Sequence, residues 1–239
     1  MESNSTVSPD VRRDVTKRAD DYVRWITIAC APLLLIGLVN GLYLPYLHKL
    51  NPLYFWLADG LHYIGLLLFA IAILAAKLDL YPRDYGFRSP FPEYTFGEFA
   101  FLAFITSFGT LLVYGFSYAI AARIFGISEN AFGYQQVLPA SGFTRSIATA
   151  YLSLTAAFAE EIIFRAIPWL IFQRLLGSPK LAYVMVTSVL FGLVHWETGI
   201  ANVVGSLSVG IIFSLSYVRL KNIWPLVMAH GITDLIAFR

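Results

Sequence analysis

The chain has few charges and almost no cysteine. Only 13% of its 239 residues are Asp, Glu, Lys or Arg, while 58% are hydrophobic. A soluble domain of this length has no single core large enough to bury that much apolar surface, which leaves a polytopic membrane protein. A net charge of +2 carries no nucleic-acid signature. With Cys30 the one cysteine, no intrachain disulfide can form, and its apolar surroundings read as packing. Residues 1–24 contain no apolar run and no cleavage site, so a removable signal peptide is not expected. The G-x-S-x-G elbow and the H-E-x-x-H helix are both missing, and so is any repeat.

What remains is a polar lead-in followed by apolar runs. In residues 1–24, Ser8 and Pro9 read as a helix start, and Val11, Val15 and Tyr22 as a thin apolar stripe. A membrane span takes roughly 20 apolar residues. Seven are expected, near 25–47, 53–76, 96–122, 145–172, 181–198, 200–218 and 223–238. The organisation is a polar cytoplasmic or interfacial segment (1–24), two leading transmembrane helices (25–76) and a core (77–239). With the N-terminus inside, the cytoplasmic segments gather Arg12, Arg13, Lys17, Arg18, Arg24, Lys77, Arg83, Arg88, Arg174, Lys180, Arg219 and Lys221. The other side keeps Lys49, Arg123, Arg145 and Arg239. This positive-inside bias points to a prokaryotic cytoplasmic membrane with a cytoplasmic N-terminus.

Against that background a few residues are out of place. The fourth run carries Glu160, Glu161 and Arg165 in "EEIIFR", the fifth His195 in "FGLVHW", and the seventh His230 and Asp234 in "HGITD". A charge at a helix centre costs about 2.5–3.5 kcal/mol on the insertion scale. Glu161 and Arg165 are four apart and share a face, as do Phe191 and His195, and His230 and Asp234. Glu160 sits about 100° around the helix from Glu161 and is free to meet another neighbour. At 1.5 Å per residue, Glu160, His195, His230 and Asp234 lie roughly 18, 21, 11 and 17 Å from the cytoplasmic ends of their runs, in a cavity expected to open to that side. Alone, Glu161–Arg165 reads as a structural ion pair, His195 as a packing histidine, and His230–Asp234 as an interhelical hydrogen bond. Together they read as a site. Asp59 and His62 are expected at the membrane interface, and Glu98 and Glu197 in water.

Three of these motifs, in this order, resemble those of the CPBP (Abi, or CAAX-protease-like) family of intramembrane endopeptidases. "EEIIFR" is similar to its E-E-x-x-x-R, "FGLVH" to its F-x-x-x-H, and "HGITD" to its last motif, which ends in asparagine or aspartate. "DYGFR" at 84–88 resembles a glycine-containing segment that precedes the family's core. The resemblance spans about residues 77–238. It implies an all-α bundle in which Glu160 and His195 activate a water, while His230 and Asp234 stabilise the oxyanion. Glu161, Arg165 and Phe191 support them. An ionised Asp234 has no hydrogen to donate, so here it would be protonated or would orient His230. The expected substrate is a membrane-tethered or lipid-modified protein, such as a CAAX-like terminus or a C-terminal sorting tail, met in the lipid bilayer.

No cofactor is expected. The alternative is a zinc ion held by Glu160, His195 and His230, with a fourth position open. Two other readings stand beside the hydrolase: a non-enzymatic immunity or scaffold protein, and a proton-relay transporter.

Overall fold

The computed structural model describes residues 9–89, 94–127 and 132–238; in the first helix, side chains are described at Lys17 and from Ala19 onward. The expected roles of Ser8, Val11 and Val15, and the charges of Arg12, Arg13, Arg18 and Arg239, lie outside that set. The described residues form helices joined by short turns, with no strand among them. The helices are α1 (Pro9–Leu38), α2 (Asn40–Leu50), α3 (Pro52–Gly60), α4 (Leu67–Leu78), α5 (Phe96–Phe125), α6 (Gly142–Glu161), α7 (Ile167–Leu175), α8 (Lys180–Leu193), α9 (Ile200–Leu220) and α10 (Trp224–Ala237).

Five stretches are long and apolar enough to cross a membrane: Ala19–Leu38, Pro52–Leu78, Phe96–Phe125, Gly142–Leu175 and Ile200–Leu220. The shorter α8 and α10 run beside them. Each has 14 residues, so each rises only about 21 Å, less than the roughly 30 Å hydrocarbon core. The architecture is thus the expected all-α bundle of about seven passes. Two boundaries differ from the sequence reading. The first run breaks at Val39, and α2 leaves as a separate helix that packs on α3. The fifth run stops at Leu193, and a 3₁₀ turn at Trp196–Thr198 follows.

Gly142–Leu175 is the central span, half of it buried, and Phe96–Phe125 the most peripheral, with 17% buried. Along the latter, Phe101, Phe104, Phe108 and Phe116 face outward. Hydrocarbon tolerates such a belt and water does not. α8 packs closely on α9, because a Cβ at Gly192 would press on the Val203 carbonyl and one at Gly210 on Ser188, each at 2.9 Å. α10 lies against α5 and α6.

Two spans contain a single π-helical turn, Leu61–Leu66 between α3 and α4, and Ile162–Ala166 between α6 and α7. Such turns widen the helix by one residue and release backbone carbonyls. Tyr183 on α8 satisfies one of these, donating to the Arg165 carbonyl at 3.1 Å. The "DYGFR" segment is a brace. Gly86 has φ +84, its carbonyl accepts from the Ile223 amide at 3.1 Å, and the fully buried Tyr85 carbonyl accepts from Tyr217 Oη at 3.3 Å.

Candidate active site

Glu161 is the hub of the buried polar cluster. It ends α6 and is fully buried, as is Arg165 in the π turn that follows. Arg165 Nε lies 3.4 Å from Glu161 Oε2, so the expected i,i+4 pair is present. Glu161 Oε1 also lies 2.8 Å from His230 Nδ1 on α10. A carboxylate only accepts, so Nδ1 carries the hydrogen of that bond. His230 Nε2 then points to two further carboxylates, Asp234 Oδ2 at 3.5 Å and Glu160 Oε2 at 3.7 Å. One imidazole thus ties together Glu160, Glu161 and Asp234.

Glu160 turns away from the arginine, as its helical angle requires. Its Oε1 accepts from Tyr63 Oη at 3.3 Å, and Tyr63 stands in the π turn of the second span. Glu160 Oε2 has no hydrogen-bond partner.

His195 is not inside a helix, contrary to expectation. It caps the 3₁₀ turn between α8 and α9. Its Nδ1 lies 2.7 Å from the Phe191 carbonyl, which can only accept, so Nδ1 is the donor. In the neutral ring Nε2 is then a bare acceptor. Phe191 holds both histidines, its ring centroid 4.8 Å from His195 and 6.0 Å from His230. The other face of the arrangement is cationic: the Arg165 guanidinium carbon lies 4.3 Å from the Phe191 ring centre.

Glu160, Phe191, His195, His230 and Asp234 all line one cavity of about 550 Å³. This is a size suited to a small ligand or a few peptide residues. Its wall also includes Asn40, Gln135, Thr198, Ala237 and Phe238, which lie at the end of the bundle where α1 stops. That is the end opposite the N-terminus, not the same side as expected. The reason is the brevity of α8 and α10, which leaves a hollow under α2, the turn at Tyr134–Gln136 and the turn carrying His195. Trp196 Nε1 donates to the Leu38 carbonyl at 2.7 Å, and the Phe132 amide to the Glu197 carbonyl at 3.2 Å, closing that roof.

Three wall residues were expected elsewhere. Asp59 and His62 are buried rather than interfacial, with 1% and 5% exposed, and Glu197 is buried rather than in water, with 8% exposed. Tyr63 was not singled out at all. For Asp59 and His62 the signal was present: an acid and an imidazole three residues apart in an apolar run, the same anomaly that marks Glu160 and Glu161. For the tyrosine there was none, because tyrosine is common in membrane helices.

Among the described residues, no group of three or more His, Cys, Asp or Glu side chains is arranged to hold a metal ion. Glu160, His195 and His230 are not gathered into such a group. His230 Nδ1 is committed to Glu161, and its Nε2 stands between two carboxylates.

Residues 142–236 match the family model for type II CAAX prenyl endopeptidase Rce1-like proteins. The match begins at α6, ends within α10 and contains all three motifs. It covers less than half of the chain, and α1 to α5 lie outside it. No curated protein and no solved structure matches. The matched family is one of endopeptidases of membrane-associated proteins.

Proposed function

We propose that this chain, a member of the Rce1-like protease family through residues 142–236, is an intramembrane endopeptidase that hydrolyses a membrane-tethered or lipid-modified protein with a water activated by Glu160 and His195. The Glu160 Oε2 atom carries this reading: a buried carboxylate oxygen without a hydrogen bond, on the same cavity wall as a histidine whose Nδ1 is already occupied. Water held between Glu160 Oε2 and His195 Nε2 attacks the scissile carbonyl carbon and gives its proton to the base. The new C–O bond forms as the carbonyl π pair moves onto oxygen. His230, as the doubly protonated imidazolium held by Glu161 and steered by Asp234, stabilises that oxyanion through Nε2–H. The acquired proton then passes to the amide nitrogen, the C–N bond breaks, and the amine departs. No step passes through a metal.

Asp234 acts as the orienting carboxylate in this scheme, since its Oδ2 lies nearest His230 Nε2. The supporting cluster Glu161, Arg165 and Phe191 fixes the two imidazoles. The distribution of basic residues supports a cytoplasmic N-terminus in a prokaryotic inner membrane, with the cavity reaching toward the other face.

The test is cleavage of lipid-anchored C-terminal peptides in proteoliposomes. Glu160→Gln and His195→Ala should each lower turnover at least about 100-fold. Undiminished turnover in either variant rejects the mechanism, whereas no cleavage by the wild-type chain favours a scaffold or immunity role for the cluster.

A further inference from the structure

The catalytic motifs use one part of the cavity wall. The rest is strongly one-sided in its chemistry. Asp59, Glu160, Glu197 and Asp234 are carboxylates on the wall, and among the described residues no lysine or arginine lines it. Burying several acids in one hollow is costly, and the one imidazole cation on the wall, His230, is already shared by Glu160, Glu161 and Asp234. Arg165 is buried behind the wall and is committed to Glu161.

On this wall the unmatched side-chain atoms are mostly acceptors, with the Thr110 hydroxyl the exception. The Asp59 oxygens are buried with no partner at full hydrogen-bond geometry, and the Tyr151 hydroxyl is the donor beside them. Glu197 Oε2 has no partner. His62 Nε2 lies 3.1 Å from the Leu33 carbonyl and must donate there, so its Nδ1 is a lone-pair acceptor. That Nδ1 is also unpartnered, in a side chain 5% exposed. Tyr63, Tyr151 and Asn40 each face one of these acids, and the acceptor atoms left over suit a ligand that brings several N–H groups. Tyr63 and Tyr134 stand among Asp59, Glu160 and Glu197, within electrostatic range of all three. Their rings add faces that attract a cation. Tyr63 also bonds to Glu160, which puts the acceptor wall next to the proposed water.

We propose that Asp59, His62 and Glu197 form a cation subsite that takes an ammonium or guanidinium group of the substrate peptide close to the bond cut at Glu160. The inference rests on the endopeptidase reading and adds a substrate class to it: lipid-anchored peptides with a basic residue near the scissile bond. Two of the three residues come from the second span, outside the family match, so the preference belongs to this chain's own leading helices.

The experiment measures binding and cleavage separately, on the full chain in nanodiscs. Three fluorescent palmitoyl-anchored peptides of one sequence are compared. The first has a lysine and a blocked N-terminus, the second acetyl-lysine and a blocked N-terminus, the third acetyl-lysine and a free N-terminus. The lysine peptide should bind at least about tenfold tighter than its acetyl-lysine twin. Asp59→Asn and Glu197→Gln should each erase that advantage, while Glu160→Gln keeps it and loses cleavage. An advantage carried only by the free N-terminus supports the subsite with the terminal amine as its cation. Equal binding of all three peptides to the wild-type chain overturns the proposal without any variant, and so does an advantage that survives in both Asp59→Asn and Glu197→Gln. Lysine-dependent binding without cleavage of any peptide would instead count against the endopeptidase reading.

Discussion

At the scale of single residues, Glu161 and Arg165 are an unequal pair. Both are fully buried, yet Glu161 has a second partner in His230, whereas the described contacts of the guanidinium are Glu161 and two aromatic faces. Breaking a buried ion pair costs about 3–5 kcal/mol, because one charge is left stranded. Glu161→Leu strands the arginine and unlatches His230. Arg165→Leu strands a carboxylate that His230 still holds. Glu161→Leu is therefore expected to be the more destabilising, and replacing both residues should recover part of the loss. Reversible unfolding in mixed micelles measures all three; equal losses in the two single variants would contradict the hub role of Glu161. The motif residues could be read from the sequence because an ionisable group in an apolar run is conspicuous and its cost is known. Tyr63 could not, since a phenol in a membrane helix has no such contrast. The second role of Glu161 could not either, because it depends on a helix 69 residues away.

At the scale of elements, the sequence showed where apolar runs lie but not where helices stop. "FGLVHW" contains no proline, and its one glycine lies within an unbroken apolar pattern, so the run reads as continuous helix, yet α8 ends before His195. α2 packs against the turn that follows. The contact depends on Gly41, where a Cβ would overlap the Glu197 side chain. Gly41→Val must therefore push α2 away from the turn that bears His195 and Glu197. The expected result is a turnover loss of roughly tenfold or more, as for a misplaced catalytic group, with a melting temperature close to wild type. Full activity in that variant would show that α2 does not set the turn. The π turns were equally hidden, because a 3.6-residue period assumes that no turn is wider. Both stand beside the site, one presenting Tyr63 and the other Arg165.

At the scale of the whole molecule, the fold class followed directly from composition. A chain with so little charge had to be a helical membrane bundle. Which end the cavity faces did not follow, because that depends on how far α8 and α10 reach. The same geometry bears on metal dependence. With His230 spanning three carboxylates, peptide cleavage is expected to continue unchanged in EDTA or phenanthroline. Loss of turnover restored by added zinc would return Glu160, His195 and His230 to the role of ligands.

The bond from Trp196 to the Leu38 carbonyl joins residues 158 positions apart. It couples the end of the first span to the turn that carries His195. The lid over the hollow is therefore stitched to the leading helix and has to lift as one plate or tear that seam. A substrate too bulky for the closed chamber must either carry the first helix with it or slip in sideways between the long walls.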